Sequence, residues 1–184
     1  MNQIAWARAL AERLLADPLP RRWAHSQGVG RKAETIAPLV GEDADVLVAA
    51  AWLHDIGYAP SLAVTGFHPL DGATYLRDVA GVDDRVCALV ANHSCACVEA
   101  AGRGLGERLA ADFSPVGGLL ADALTFCDMT TSPDGEPVDV ASRLAEIHAR
   151  YGPGHLVSES IAEATPQIVR SVGSILDLVN HYSR

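Results

Sequence analysis

Apolar residues along this chain recur three and four positions apart from one end to the other, and nowhere do they alternate with polar ones long enough for a strand. The spacing predicts an all-α fold with helices over residues 3–16, 21–40, 43–56, 69–80, 83–93, 116–129, 137–151 and 157–182, and a shorter one within 97–111. Turn chemistry separates them at Asp17-Pro18, Gly41, Gly57 to Thr65, Gly81, Ser114-Pro115, Ser132-Pro133-Asp134-Gly135 and Gly152-Pro153-Gly154. Gly102-Arg103-Gly104-Leu105-Gly106 has no strand before it, so it reads as a flexible loop rather than a dinucleotide-binding turn.

Val46 to Leu53 is the most apolar stretch and is expected to be buried on nearly all sides. His54 and Asp55 follow it directly. A carboxylate there must be neutralised, hydrogen-bonded or bound to a cation. Gly57 suits the left-handed position just past a helix end, and Pro60 cannot continue the helix. The last turn also carries the negative end of the helix dipole, where a cation is favoured.

The same periodicity identifies other polar residues that face the core. His25 shares a helix face with Val29, Ile36 and Val40, His93 falls with Val86, Leu89 and Val90, and Asp128 lies one turn beyond Leu124 and two beyond Leu120. His68, immediately before Pro69, takes a cap-like position at the mouth of the loop from Gly57. Singly, an inward histidine is more often a hydrogen-bonded core residue, His68 could cap its helix, and Asp128 could pair with a buried arginine. Together, two carboxylates and four imidazoles from five segments would each need a separate partner, whereas one metal centre satisfies them all. His148, His155 and His181 show no such coherence.

In order along the chain, His25, His54-Asp55 and Asp128 resemble the H…HD…D signature of the HD-domain metal-dependent phosphohydrolases, and His54-Asp55-Ile56-Gly57 spells its HDIG variant. The resemblance covers roughly residues 20 to 130. It implies an HD-domain helical bundle forming one domain over 1–184, with residues 131–184 as peripheral helices that shape substrate access. His68 and His93 lie where the dinuclear branch keeps two extra ligands, as in the hydrolases of symmetrical dinucleoside tetraphosphates and the HD-GYP cyclic-dinucleotide phosphodiesterases.

That branch implies two divalent transition-metal ions (iron, manganese, cobalt or nickel). His25, His54, Asp55 and Asp128 would hold one, His68 and His93 the second, with Asp55 bridging them as the catalytic residue. The implied reaction is hydrolysis of a phosphoester or phosphoanhydride, in a nucleotide or other small phosphorylated metabolite, by a metal-activated water. Many HDIG and HD-GYP sequences carry a lysine where this chain has Tyr58, and no GYP sequence is present, which counts against a cyclic dinucleotide. Arg21, Arg22 and Lys32, with Tyr58, are the candidate substrate contacts; the three cations could equally form a solvated helix face. The same six ligands resemble those of HD-type di-iron oxygenases that cleave C–C or C–P bonds. A metal- or nucleotide-binding regulatory module without turnover is a third reading.

Composition narrows the partners. The 184 residues fit one domain with a sizeable core, and although 49% are apolar, no run approaches the roughly 18 needed to cross a bilayer. The first residues, MNQIAWARALAERLL, lack a basic leader and a cleavage site, so the expected compartment is the cytoplasm. A net charge of −9, with Lys32 the single lysine and the arginines scattered, argues against duplex nucleic acid. Cys87, Cys95, Cys97 and Cys127 are expected to be reduced core thiols, because Cys95-x-Cys97 is too tight for a zinc knuckle.

Overall fold

A computed structural model describes residues 3–182, and within them every regular element is a helix. The α-helices are α1 (Gln3–Leu15), α2 (Pro20–Ile36), α3 (Ala44–Leu53), α4 (His68–Asp78), α5 (Asp84–Asn92), α6 (Ala96–Gly102), α7 (Gly106–Asp112), α8 (Leu119–Met129), α9 (Val140–Tyr151) and α10 (Leu156–Tyr182). No strand occurs among the described residues; extended backbone pairs only in an isolated antiparallel bridge between Thr131 and Pro137. No described helix is long and apolar enough to cross a membrane.

The centre of the fold is α3, whose residues from Leu47 to Leu53 are all buried. It packs on α1, α2, α5 and α8, while α10 covers α8, α6 and α9 from the other side. A helix surrounded in this way cannot be amphipathic, which is why its sequence reads as a continuous apolar block.

Several boundaries differ from those predicted. The second helix ends at Ile36, because Pro38 and the left-handed Gly41 (φ 59°) turn the chain into 3-10 geometry over Ala37–Asp43. The single helix expected within 97–111 is two, α6 and α7, broken where Gly104 turns left-handed (φ 71°). The stretch from Gly102 to Gly106 is accordingly a turn between helices, closed by backbone bonds such as Leu105 N–H to the Ala100 carbonyl at 2.8 Å. Pro166 lies inside α10, which nevertheless runs on to Tyr182. Of the cysteines, Cys87 and Cys127 are buried, Cys95 is half-buried and Cys97 is exposed, so the expectation of core thiols fails at Cys97.

The contact between α2 and α3 depends on Gly30. A Cβ there would stand 2.4 Å from Cε2 and 2.5 Å from Cδ2 of the buried Trp52 ring, closer than atoms approach. Trp52 is also tied to Glu34 through its indole N–H at 3.2 Å, and so cannot rotate away without losing that bond. Gly30→Ala is therefore expected to cost about 1–3 kcal/mol, measured as a lower urea midpoint accompanied by a red shift of tryptophan fluorescence.

Candidate metal centre

Five segments deliver six side chains to one place. His25 comes from the second turn of α2, His54 and Asp55 from just past α3, His68 from the first residue of α4, His93 from just past α5, and Asp128 from the end of α8. His25, His54, Asp55, His93 and Asp128 are buried, and His68 is half-buried. Their ligand atoms fall into two groups, each within 4.8 Å: His25, His54 and Asp128, and Asp55, His68 and His93. Neither group includes a cysteine.

The local backbone explains the aim of each ring. His54 and His93 each donate Nδ1–H to the carbonyl three residues earlier, Ala51 at 2.8 Å and Val90 at 2.7 Å, satisfying a carbonyl that the ending helix leaves free. His25 donates Nδ1–H to the Ser132 carbonyl at 2.9 Å. With Nδ1 committed, each ring turns Nε2 toward the centre, the arrangement of a metal-ligating histidine held by a backbone carbonyl. His54 Nε2 is buried and has no hydrogen-bond partner. Such an orphaned acceptor amid carboxylates fits a bound cation.

Asp55 joins the two groups through its two oxygens. Oδ2 lies 3.4 Å from His54 Nε2 and 3.9 Å from His25 Nε2, while Oδ1 lies 3.3 Å from His68 Nε2. Asp128 Oδ1 stands 3.0 Å from His25 Nε2 and 3.9 Å from His54 Nε2. On the other side, the Nε2 atoms of His68 and His93 face each other at 3.2 Å.

Burial opposes charge on Asp55, but Arg22 and the rings of His54, His68 and His25 outweigh it and hold the carboxyl well below its ordinary range. Asp128 is likewise depressed against burial, by its bond to His25 and by His54. Burial pushes His68 well below the usual histidine range and lowers His93, which favours the neutral rings that coordinate metal.

Two expectations about local structure need correcting. His68 does not cap α4: Phe67 holds the N-cap position without a side-chain bond, and His68 is the first helical residue. Gly57 is not left-handed; it lies within a 3-10 turn, Ile56–Tyr58, and its φ is not positive. A Cβ on Gly57 would stand 2.0 Å from the His68 carbonyl oxygen and 2.6 Å from Gly72 N. Close backbone approach, not backbone sign, requires the glycine.

The proposed substrate contacts divide. Arg22 Nη1 donates to Asp55 Oδ2 at 2.8 Å, and its guanidinium lies 4.0 Å from the centre of the Tyr58 ring. Tyr58 in turn stacks on His68, with centroids 3.9 Å apart and planes 16° apart. Arg22 and Tyr58 both line the cleft over the two groups. Arg22 stays protonated despite burial because Asp55 and Tyr58 face it, and burial keeps the Tyr58 phenol protonated. Arg21 and Lys32 do not line this cleft. Arg21 is exposed and paired with Asp134 at 2.7 Å. Lys32 shares the His25 face of α2 but lies two turns along, and it bonds the Thr130 carbonyl and, at 2.6 Å, the Thr130 hydroxyl.

Other cleft residues were not singled out from the sequence: Ser94, Arg143, Ile147, Arg150 and Tyr151. Arg143, Ile147 and Tyr151 are spaced by four on α9, and Arg143 is buried beside Leu144 and Ile147. The test that flagged Asp128, a charge on an apolar stripe, would have flagged Arg143. Ser94 carried no signal. It and Cys95 are the only described non-glycine residues with positive φ (47° and 62°), each costing on the order of 1–3 kcal/mol.

Compared with known families, the chain matches the HD domain model over residues 22–145. No curated protein and no solved structure matches it.

Proposed function

The chain belongs to the HD-domain family, and from that premise we propose that it is a metal-dependent phosphohydrolase acting on a phosphoester or phosphoanhydride of a small phosphorylated metabolite, a nucleotide in preference. The strongest support is the geometry of Asp55, whose two oxygens face different ligand groups, as a carboxylate shared by two ions would. The proposed cofactor is a pair of divalent ions, and mixed imidazole and carboxylate donors suit iron, manganese, cobalt or nickel. Such ions, when bound, lower the pKa of a water and neutralise charge on a leaving oxygen.

The chain's own side chains supply the rest. Arg22, charged and lying over Tyr58, is placed to hold a phosphoryl oxygen beside Asp55. Arg143 and Arg150 bring further positive charge from α9, shared with Glu146. Ile147, Tyr151, Val157 and Ile161 give the cleft an apolar wall. The cleft is about 90 Å³ in volume, and this wall and the α9 arginines line it together with Asp55 and Asp128.

The deciding experiment combines elemental analysis of the purified protein with two assays. Phosphate released from a nucleotide panel under anaerobic conditions is the expected result. Stoichiometric oxygen uptake with an organophosphonate or a polyol, without phosphate release from nucleotides, would make the protein an HD-type oxygenase instead. Tight nucleotide binding with no product over hours would make it a regulatory module.

Arg22→Gln tests the phosphoryl-holding role of Arg22 at saturating metal, because Arg22 also bonds the proposed ligand Asp55. Hydrogen bonds to charged groups are worth about 1.5–3 kcal/mol, so kcat/KM measured with metal in excess is expected to fall about 10- to 100-fold. Unchanged kinetics would remove Arg22 from the substrate site.

A further inference from the structure

The two consecutive left-handed residues, Ser94 and Cys95, directly follow His93 and have no glycine to ease them. A backbone held there by its surroundings calls for a reason, and the Ser94 side chain provides one. Its hydroxyl donates to Asp128 Oδ2 at 2.5 Å. The other oxygen of the same carboxylate, Oδ1, is the one that faces His25 and His54. The strained turn thus reaches from the His93 segment across to α8 and ties down the oxygen that points away from the ligand group. Ser94 also lines the cleft, together with His93 of one group and Asp128 of the other.

We propose that Ser94 is a positioning residue for the metal centre: its hydroxyl fixes the rotation of Asp128, so that Oδ1 alone is offered to the ion held with His25 and His54. This rests on the reading of the site as a metal centre. Partners that orient a ligand in this way alter metal affinity by about 10- to 100-fold. Without the hydroxyl the buried carboxylate has an unsatisfied oxygen and can rotate about its χ2 torsion. It then presents either oxygen, or both, to the ion.

The test titrates metal-stripped wild type, Ser94→Ala, Ser94→Gly and Ser94→Thr with Mn²⁺ and records thermal melting of each metal-free protein. The expected result is that Ser94→Ala and Ser94→Gly both lose about 10- to 100-fold in affinity for one Mn²⁺, whereas Ser94→Thr, which keeps the hydroxyl, stays close to wild type. Stability should follow a different order, because glycine relaxes a left-handed position and a β-branched threonine is the worst residue for it. Ser94→Thr is therefore expected to melt lowest and still bind Mn²⁺ best among the variants. If the threonine protein fails to fold, Ser94→Gly decides the matter. Metal affinity that tracks melting temperature, or wild-type affinity in the alanine and glycine variants, would overturn the role of Ser94 alone. A wild-type protein that takes up no Mn²⁺ would overturn the metal centre beneath it.

Discussion

Asp55→Ala is expected to empty both halves of the centre and to reduce hydrolysis by more than about 100-fold, the upper end of what loss of an outer-shell partner costs. The two oxygens of Asp55 lie 3.3 Å from His68 and 3.4 Å from His54, so this one side chain touches both ligand groups. Its negative charge also offsets Arg22 at 2.8 Å. Removing one partner of a buried pair leaves the other uncompensated, which costs about 3–5 kcal/mol, so the alanine protein must be shown to be folded before its activity is read. Asp55→Asn supplies that control. It keeps the shape and one acceptor oxygen while discarding the charge, and it is expected to retain a cooperative melt with less than the wild-type metal content. Metal per chain and phosphate release are the two measurements. Wild-type values of both in a folded Asp55→Ala protein would refute the shared-ligand role.

Much of this arrangement was legible in the sequence because burial and helical period together are restrictive. A charged or imidazole side chain on an apolar stripe has few ways to be satisfied, and this reasoning reached His25, His54, Asp55, His93 and Asp128 without structural information. His68 is found by position in the chain and not by period, and the cap-like place expected for it belongs to Phe67. The parts that stayed hidden depend on long-range contacts. Periodicity places both Arg21 and Arg22 beside His25. Only the fold reveals that Asp134, more than a hundred residues on, claims Arg21 while Arg22 turns to Asp55. Likewise nothing local marks Ser94 as left-handed, and the bond that accompanies that conformation runs to Asp128, 34 residues on.

Gly57→Ala is expected to have the largest effect among substitutions that leave every proposed ligand in place. Glycine is usually explained by a positive φ, but here the backbone is ordinary and the constraint is space. The added Cβ would lie 2.0 Å from the His68 carbonyl oxygen, 2.8 Å from His68 C and 2.6 Å from Gly72 N. All three are backbone atoms of the first turns of α4, so no side-chain rotation relieves the clash, and the helix itself must retreat by roughly an ångström to restore van der Waals distance. Overpacking of a close interior contact costs about 1–3 kcal/mol and occasionally more; a clash with a rigid helix belongs at the upper end. For a chain of this size, 3 kcal/mol lowers the melting temperature by about 6–12 °C. The retreat also carries His68 away from Asp55 and His93, and a misplacement of about 1 Å can cost 100-fold in rate. Reduced metal content and lowered turnover should therefore accompany the lower melting temperature. Gly66→Ala is the comparison, since Gly66 has φ 73° and open space around its Cβ position. It should show the modest loss of an unfavourable backbone angle and keep its metal. If the two alanine variants behave alike, the close contact between the Ile56–Tyr58 turn and α4 does not position His68.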